Sequence, residues 1–197
     1  VNNKPFLEHL VLMLKNKGIS KFVFCTGHLE HKIREHFGNG EKFGIKIVYA
    51  HEASPLYSAG ALKNAENFLE DNFFMINGDD YYDADYKSLF EYHKNRDSMI
   101  TLATTDIDPE SVNIFSTLLA ENGIAKTYYG KNPENKGNMR MTGIFVINKQ
   151  ILRDMPPAVA CSLEDELVPK YMNQNKVFAR KENAYVIDIG TVEMYNK

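Results

Sequence analysis

The chain has 197 residues, 44% of them hydrophobic, which suits one domain able to bury roughly 70% of the surface its unfolded form exposes. With 23 basic against 26 acidic residues the net charge is −3, so no basic excess recruits nucleic acid or an anionic membrane, and an anionic substrate has to be met by local groups. Cys25 and Cys161 form no CxxC or Cys/His cluster, no apolar run approaches the ~20 residues of a membrane span, and no signal peptide opens the chain, so a cytoplasmic protein with two reduced, buried thiols is expected.

From Pro5 to Lys17, the residues Phe6, Leu7, Leu10, Val11 and Leu14 recur at helical spacing, Pro5 suits a first turn and Gly18 a stop, and a helix is predicted. Lys21 to Cys25 reads as a short buried strand, His28 to Phe37 as a polar helix ended by Gly38, and Ile45 to Tyr49 as a second strand. Ala59 to Leu69 repeats the helical pattern, and the apolar run Phe73 to Ile76 stops abruptly at Asn77-Gly78-Asp79-Asp80. Strands alternating with helices predict right-handed crossovers and a mainly parallel sheet covered on both faces. A sheet of this kind usually opens with a strand and a phosphate-binding turn ahead of the first helix, so a further segment is expected before Val1.

The second half has a different rhythm. A helix is predicted over Tyr86 to Lys94, and strands over Met99 to Thr104, Phe115 to Leu119 and Ala125 to Tyr129, with Asn122-Gly123 marking a hairpin between the last two. A polar stretch, Lys131 to Arg140, leads into a strand over Met141 to Ile147. Ser162 to Met172 reads as a helix opened by a serine cap with Asp165 three residues on, close to a capping box. Val177 to Arg180 and Tyr185 to Ile187 close the chain as strands, followed by a helix-like Val192 to Tyr195.

Ligands of open α/β sheets bind beyond the carboxyl ends of the strands, which directs attention to Asn77-Gly78-Asp79-Asp80. Those residues are either an Asx/Gly turn with exposed acids or a site where a carboxylate holds a hard cation such as magnesium. Asp188 stands alone among apolar neighbours in Tyr185-Val186-Ile187-Asp188-Ile189-Gly190-Thr191. Burying an unpaired carboxylate is costly, so it is salt-bridged, helix-capping or a metal ligand. His28 and His31 have helical spacing but no third ligand, and read as solvated.

Taken in order, Lys4-Pro5-Phe6-Leu7, Asn77-Gly78-Asp79, Thr142-Gly143-Ile144-Phe145-Val146, Ser162-Leu163-Glu164 and Ile187-Asp188-Ile189-Gly190-Thr191 resemble the sugar-phosphate nucleotidylyltransferases over nearly the whole chain. The last two are most similar to heptose and mannose 1-phosphate guanylyltransferases. The resemblance implies a Rossmann-like, three-layer α/β/α fold with a mixed, mainly parallel sheet, the nucleotide-diphospho-sugar transferase fold, in a single domain over residues 1–197 that lacks its first strand and phosphate-binding loop. It implies transfer of a nucleoside monophosphate from a nucleoside triphosphate to a sugar 1-phosphate, with Mg2+ on Asp79 and Asp188 and substrate contacts from Gly60, Asn77, Gly78, Lys131, Gly143 and Glu164. Lys131 matches a lysine on the sugar phosphate, and Glu164 a glutamate that accepts hydrogen bonds from sugar hydroxyls. Nucleic acid and membrane are not expected partners, and a homo-oligomer is left open. Departures from the pattern are Tyr57 for a glycine near the nucleotide, Ser116 for a glycine, Gly130 for a glutamate, and Met141-Thr142 for Asn-Ala. They leave base and sugar open, and they motivate one alternative: a non-catalytic nucleotide-sugar sensor on the same fold. A nucleotidyltransferase for a non-sugar alcohol phosphate is the third reading.

Overall fold

The apolar runs and amphipathic stretches fold, in order, as α1 (Phe6–Asn16), β1 (Lys21–Thr26), α2 (Glu30–Phe37), β2 (Lys46–His51), α3 (Tyr57–Asn64), β3 (Asn72–Ile76), β4 (Asp80–Tyr82), α4 (Tyr86–Lys94), β5 (Ile100–Thr105), β6 (Thr117–Glu121), β7 (Ile124–Gly130), β8 (Met139–Asn148), α5 (Val168–Met172), β9 (Val177–Lys181) and β10 (Val186–Asp188). The computed structural model describes residues 3–107, 115–132, 134, 137–184 and 186–191, so the helix predicted over Val192 to Tyr195 lies outside the described residues.

Helices cover both faces of the main sheet, as expected. Successive side chains of a strand point to opposite faces. Phe145 and Ile147 of β8 pack with Ala59 and Leu62 of α3 and Val168 and Tyr171 of α5. Ile144 and Val146 turn the other way, onto Leu10 and Leu14 of α1 and Tyr86 and Leu89 of α4. Among the described residues no helix is long and apolar enough to cross a membrane.

The expectation of a mainly parallel sheet is corrected. Among the described strands only β1–β2 and β5–β9 pair in parallel, whereas β8 runs antiparallel to both β3 and β5. The Asn122-Gly123 turn, with φ of +50° and +78°, folds β6 back on β7 as the hairpin signal predicted. β6 also meets β8 through Thr117↔Arg140 and Leu118↔Met139, which closes β8, β5, β9, β7 and β6 into a ring. The sheet is therefore mixed, with antiparallel pairs in the majority.

β1 and β2 form a two-stranded sheet of their own, and neither is hydrogen-bonded to β3. Between β1 and β3 lies an apolar groove of about 770 Å³ lined by Phe22, Phe24, Phe73 and Met75. All five residues of β3 are half-buried, an unusual state for so apolar a strand with helices on both faces of its sheet. The same groove explains why Cys25, expected to be buried, is exposed while Cys161 is not.

Two further boundaries differ. α3 stops at Asn64 and a 3-10 turn, Glu66–Phe68, follows in place of a continuous helix to Leu69. The Ser162 cap opens a π-helical turn, Leu163–Leu167, before α5. Asp165 N–H donates to Ser162 Oγ at 3.1 Å, but the return bond, from Ser162 N–H, goes to Glu166 at 2.8 Å, one residue beyond the capping-box position. The extra residue accommodates the wider turn.

His93 of α4 is 1% exposed and held by Thr101 Oγ1 at 2.9 Å and Asn72 Oδ1 at 3.1 Å. Burial pushes its pKa down to about 4 from 6.5. As pH falls between those values the unfolded chain takes up a proton that folded His93 refuses, so its contribution is complete above about pH 6.5 and is lost toward pH 4. The full shift corresponds to roughly 3 kcal/mol. Denaturant unfolding from pH 7 to pH 4 should therefore fall less steeply for His93→Gln than for the parent; equal slopes would contradict this assignment.

Candidate active site

The apolar run of β3 ends at Ile76, and Asn77-Gly78-Asp79 turns the chain at once into β4. Antiparallel pairing of β4 with β10 sets Asp80 opposite Asp188, and Ile189 N–H donates to the Asp79 carbonyl at 3.1 Å. Two segments more than a hundred residues apart in sequence thus bring three carboxylates together. A Cβ added to Gly190 would lie 3.0 Å from Asp79 Oδ2 and 3.0 Å from Asp188 Oδ1, so these oxygens flank a space that only glycine leaves free. Gly190 N–H also donates to Asp188 Oδ1 at 2.7 Å, which fixes that carboxylate. The pair fits magnesium, which is commonly held by one or two carboxylates with waters and substrate phosphates rather than by an all-protein cage. Among the described residues no cluster of three or more His, Cys, Asp or Glu side chains is arranged to hold a metal by itself, and His28 and His31 are exposed.

Asp80, which the sequence placed in the candidate turn without a role of its own, is 8% exposed and receives a hydrogen bond from Asn77 Nδ2 at 2.9 Å. Burial, reinforced by the charges of Asp79 and Asp188, pushes its pKa up to about 7, against the opposing pull of Asn77 and Arg140. The doubled aspartate after β3 was the available signal. Which of the two would face Asp188 depends on the register of a three-residue strand that carries no periodicity of its own.

β8 bulges beside this cluster: the β5 pairing steps from Leu102↔Phe145 to Thr104↔Met141. Gly143 lies in the bulge at φ +73°, and a Cβ there would overlap Asp80 Oδ2 and stand 2.6 Å from Asn77 Nδ2. The glycine is required by those side chains. Around the bulge opens a cavity of about 470 Å³ lined by Asn77, Asp80, Lys131, Gly143, Glu164 and Asp188, together with Arg140, Ser116, Tyr128 and Asp165. Five of the sequence-predicted residues, Asn77, Lys131, Gly143, Glu164 and Asp188, therefore line one cavity. Arg140 was missed because it lies in a polar run without pattern; its guanidinium stacks 3.2 Å from the centroid of the Phe115 ring. Glu164 is fixed by Ser58, whose Oγ donates to Glu164 Oε2 at 2.8 Å and accepts from Leu163 N–H at 2.8 Å.

Asn77 belongs to both cavities, and Gly78 lines the groove. Gly60 lines neither. It is buried in α3, where a Cβ would come 2.6 Å from the Val159 carbonyl, so its small size serves the close packing of α3 on residues 159–161.

The paired carboxylates, of which Asp188 lines the polar cavity and Asp79 lines neither cavity nor groove, coincide with a match over residues 1–197 to the family model described as nucleotidyl transferase. The chain belongs to the nucleotidyl transferase family. Among its relatives, the D-glycero-alpha-D-manno-heptose 1-phosphate guanylyltransferase of Aneurinibacillus thermoaerophilus is 30% identical, over 100% of this chain and 84% of that protein. The mannose-1-phosphate guanylyltransferase catalytic subunit beta of Drosophila melanogaster is 27% identical over 95% of this chain, which spans about half, 52%, of that longer protein. Among solved structures, HddC from Yersinia pseudotuberculosis superposes with a TM-score of 0.82 at 26% identity, over 98% of this chain and 83% of that one. The family resemblance carried by the motifs is thereby established, and the mixed α/β fold of this nucleotidyltransferase is shared with these structures.

Proposed function

We propose that this protein transfers a nucleoside monophosphate from a nucleoside triphosphate to a sugar 1-phosphate, releasing pyrophosphate. One observation carries the reading: Asp79 and Asp188 converge beside Asn77, where the groove at the carboxyl ends of β1 and β3 adjoins the cavity that holds Lys131 and Glu164. The names of the relatives, heptose and mannose 1-phosphate guanylyltransferases and a UTP–glucose-1-phosphate uridylyltransferase from Synechocystis, support the same reaction with differing base and sugar.

In this reading a phosphate oxygen of the sugar 1-phosphate attacks the α-phosphorus of the triphosphate, and the bond from that phosphorus to pyrophosphate breaks, with no covalent enzyme intermediate. Asp79 and Asp188 would hold Mg2+, which when bound would neutralise charge shared by the two reacting phosphates. Lys131, which lines the cavity, would attract the sugar phosphate, and Glu164, steadied by Ser58, would accept hydrogen bonds from sugar hydroxyls. Asn77 and Gly78 present the turn over which the two substrates meet. Positioning and fixed charge do most of the work, as expected for phosphoryl chemistry.

The mouth of the groove belongs to the same proposal: lined by Glu52, Tyr57, Ser58, Asn77 and Gly78 beyond the carboxyl ends of β1 and β2, it lies where open α/β sheets take their ligands and would hold the nucleotide.

The test is an assay for pyrophosphate release with magnesium, each of the common nucleoside triphosphates and a panel of sugar 1-phosphates. Release with at least one pair supports the proposal. Tight binding of a nucleotide sugar with no release from any pair would favour a non-catalytic sensor instead.

A further inference from the structure

Two bulky apolar residues, Leu29 and Tyr57, have a positive φ among the described residues, and each stands in a turn that leads from a parallel strand into a helix. Tyr57 is at φ +57° and 69% exposed, more than any other large hydrophobic residue described. Left-handed backbone suits glycine, asparagine and aspartate, and is rarely adopted by an aromatic residue. The surroundings impose it. Leu56 N–H donates to Glu52 Oε2 at 3.1 Å, the Leu56 carbonyl accepts from Cys161 N–H at 2.9 Å, and Ala59 N–H donates to the Cys161 carbonyl at 2.9 Å. Clamped on both sides, the turn holds the Tyr57 ring away from the core, where it contributes no burial to the folded state. Strain kept without a packing return is characteristic of a ligand-facing position.

The position of the ring names the ligand. Tyr57 lines the groove together with Glu52, Ser58, Asn77 and Gly78, on the side where the parallel strands end, whereas Leu29 does not line it. Ser58, the next residue, ties this turn to Glu164 of the sugar-side cavity, so Tyr57 stands on the groove side of a turn anchored in both sites. A planar ring presented at the mouth of such a groove matches the face of a nucleobase, which stacks on aromatic side chains whatever its hydrogen-bonding edge.

We infer that Tyr57 stacks on the base of the bound nucleotide and sets its affinity, an inference that rests on the proposed use of the groove as the nucleotide site. It is a binding residue and takes no part in the bond exchange. Tyr57→Gly removes the ring and relieves the backbone, so the variant should fold at least as stably as the parent.

The experiment is equilibrium binding of GTP, UTP and inorganic tripolyphosphate to the parent, Tyr57→Gly, Tyr57→Phe and Tyr57→Trp, with steady-state kinetics alongside. Loss of the ring in Tyr57→Gly should weaken the preferred triphosphate about tenfold, and raise its KM similarly, while the KM for sugar 1-phosphate holds. Tyr57→Phe should restore binding, and tripolyphosphate, which has no base, should bind all the proteins alike. The chain contains no tryptophan, so emission from Tyr57→Trp reports on this position alone and should be quenched saturably by the nucleotide. Equal or tighter nucleotide binding by Tyr57→Gly overturns the inference, as does an equal loss of tripolyphosphate binding. Turnover by the parent with an unaltered nucleotide KM in Tyr57→Gly would sink the stacking role and leave the transfer reaction standing. Ring-dependent nucleotide binding without turnover would do the reverse.

Discussion

Asp79→Asn and Asp188→Asn should each lower turnover on the order of a thousandfold, equivalent to ~4 kcal/mol of transition-state stabilisation, while leaving the fold intact. The two substitutions change almost nothing in volume. Each removes one negative charge from a cluster in which Asp79, Asp80 and Asp188 repel one another closely enough to contribute to the raised pKa of Asp80. Without a bound cation that repulsion opposes folding, so each variant should melt at or above the temperature of the parent in metal-free buffer. Loss of activity with retained or increased stability is the signature of groups held together for function. Thermal unfolding alongside pyrophosphate release checks both halves. Two variants that turn over normally would remove the assignment; two that unfold would make the acids structural.

Gly143→Ala is expected to cost roughly 3 kcal/mol, combining left-handed backbone with overpacking, and to lower the melting temperature by roughly 10 °C. The added methyl would occupy the space of the Asp80 carboxylate, which is short, buried and tied to Asn77, and therefore has little room to swing aside. Displacing Asp80 would also shift the β4–β10 pairing that sets Asp79 beside Asp188, so activity should fall with stability. Gly60→Ala is the useful contrast: it would crowd a backbone carbonyl, that of Val159, in the interior of α3 and away from the carboxylates. Differential scanning fluorimetry of Gly143→Ala against the parent settles the point, and an unchanged melting temperature would mean that the bulge accommodates a side chain.

Local signals in the sequence carried much of this architecture. α4 forms over the predicted residues because an aspartate cap at Asp85 and a repeating apolar face coincide, and Asn122-Gly123 turns the chain because both residues tolerate positive φ. The direction of β8 was not legible. Its ten residues read equally well as parallel or antiparallel, and the choice is made by pairing with residues of β3 and β5 that lie 35 or more positions away. The candidate site divides in the same way. Asp79 and Asp188 were visible as acids at the ends of apolar runs, and Gly143 as a glycine within a strand. Asp80, Arg140 and Tyr128 reach the cavity through register and ring closure, which no short window encodes. Gly60, placed at the substrate by its motif, lines neither cavity, and its packing contact with residues 159–161 lies a hundred positions downstream.

The central claim is that two carboxylates distant in sequence share one divalent ion at the junction of two substrate sites. Crystals grown with Mn2+ and a nucleotide sugar provide the most direct test, through the anomalous signal of the metal. The expected map has a peak about 2.1–2.2 Å from carboxylate oxygens of both Asp79 and Asp188, with a phosphate oxygen of the ligand in the same coordination sphere. A well-occupied metal and ligand with no peak between these residues, or with the metal bound elsewhere on the chain, would contradict it.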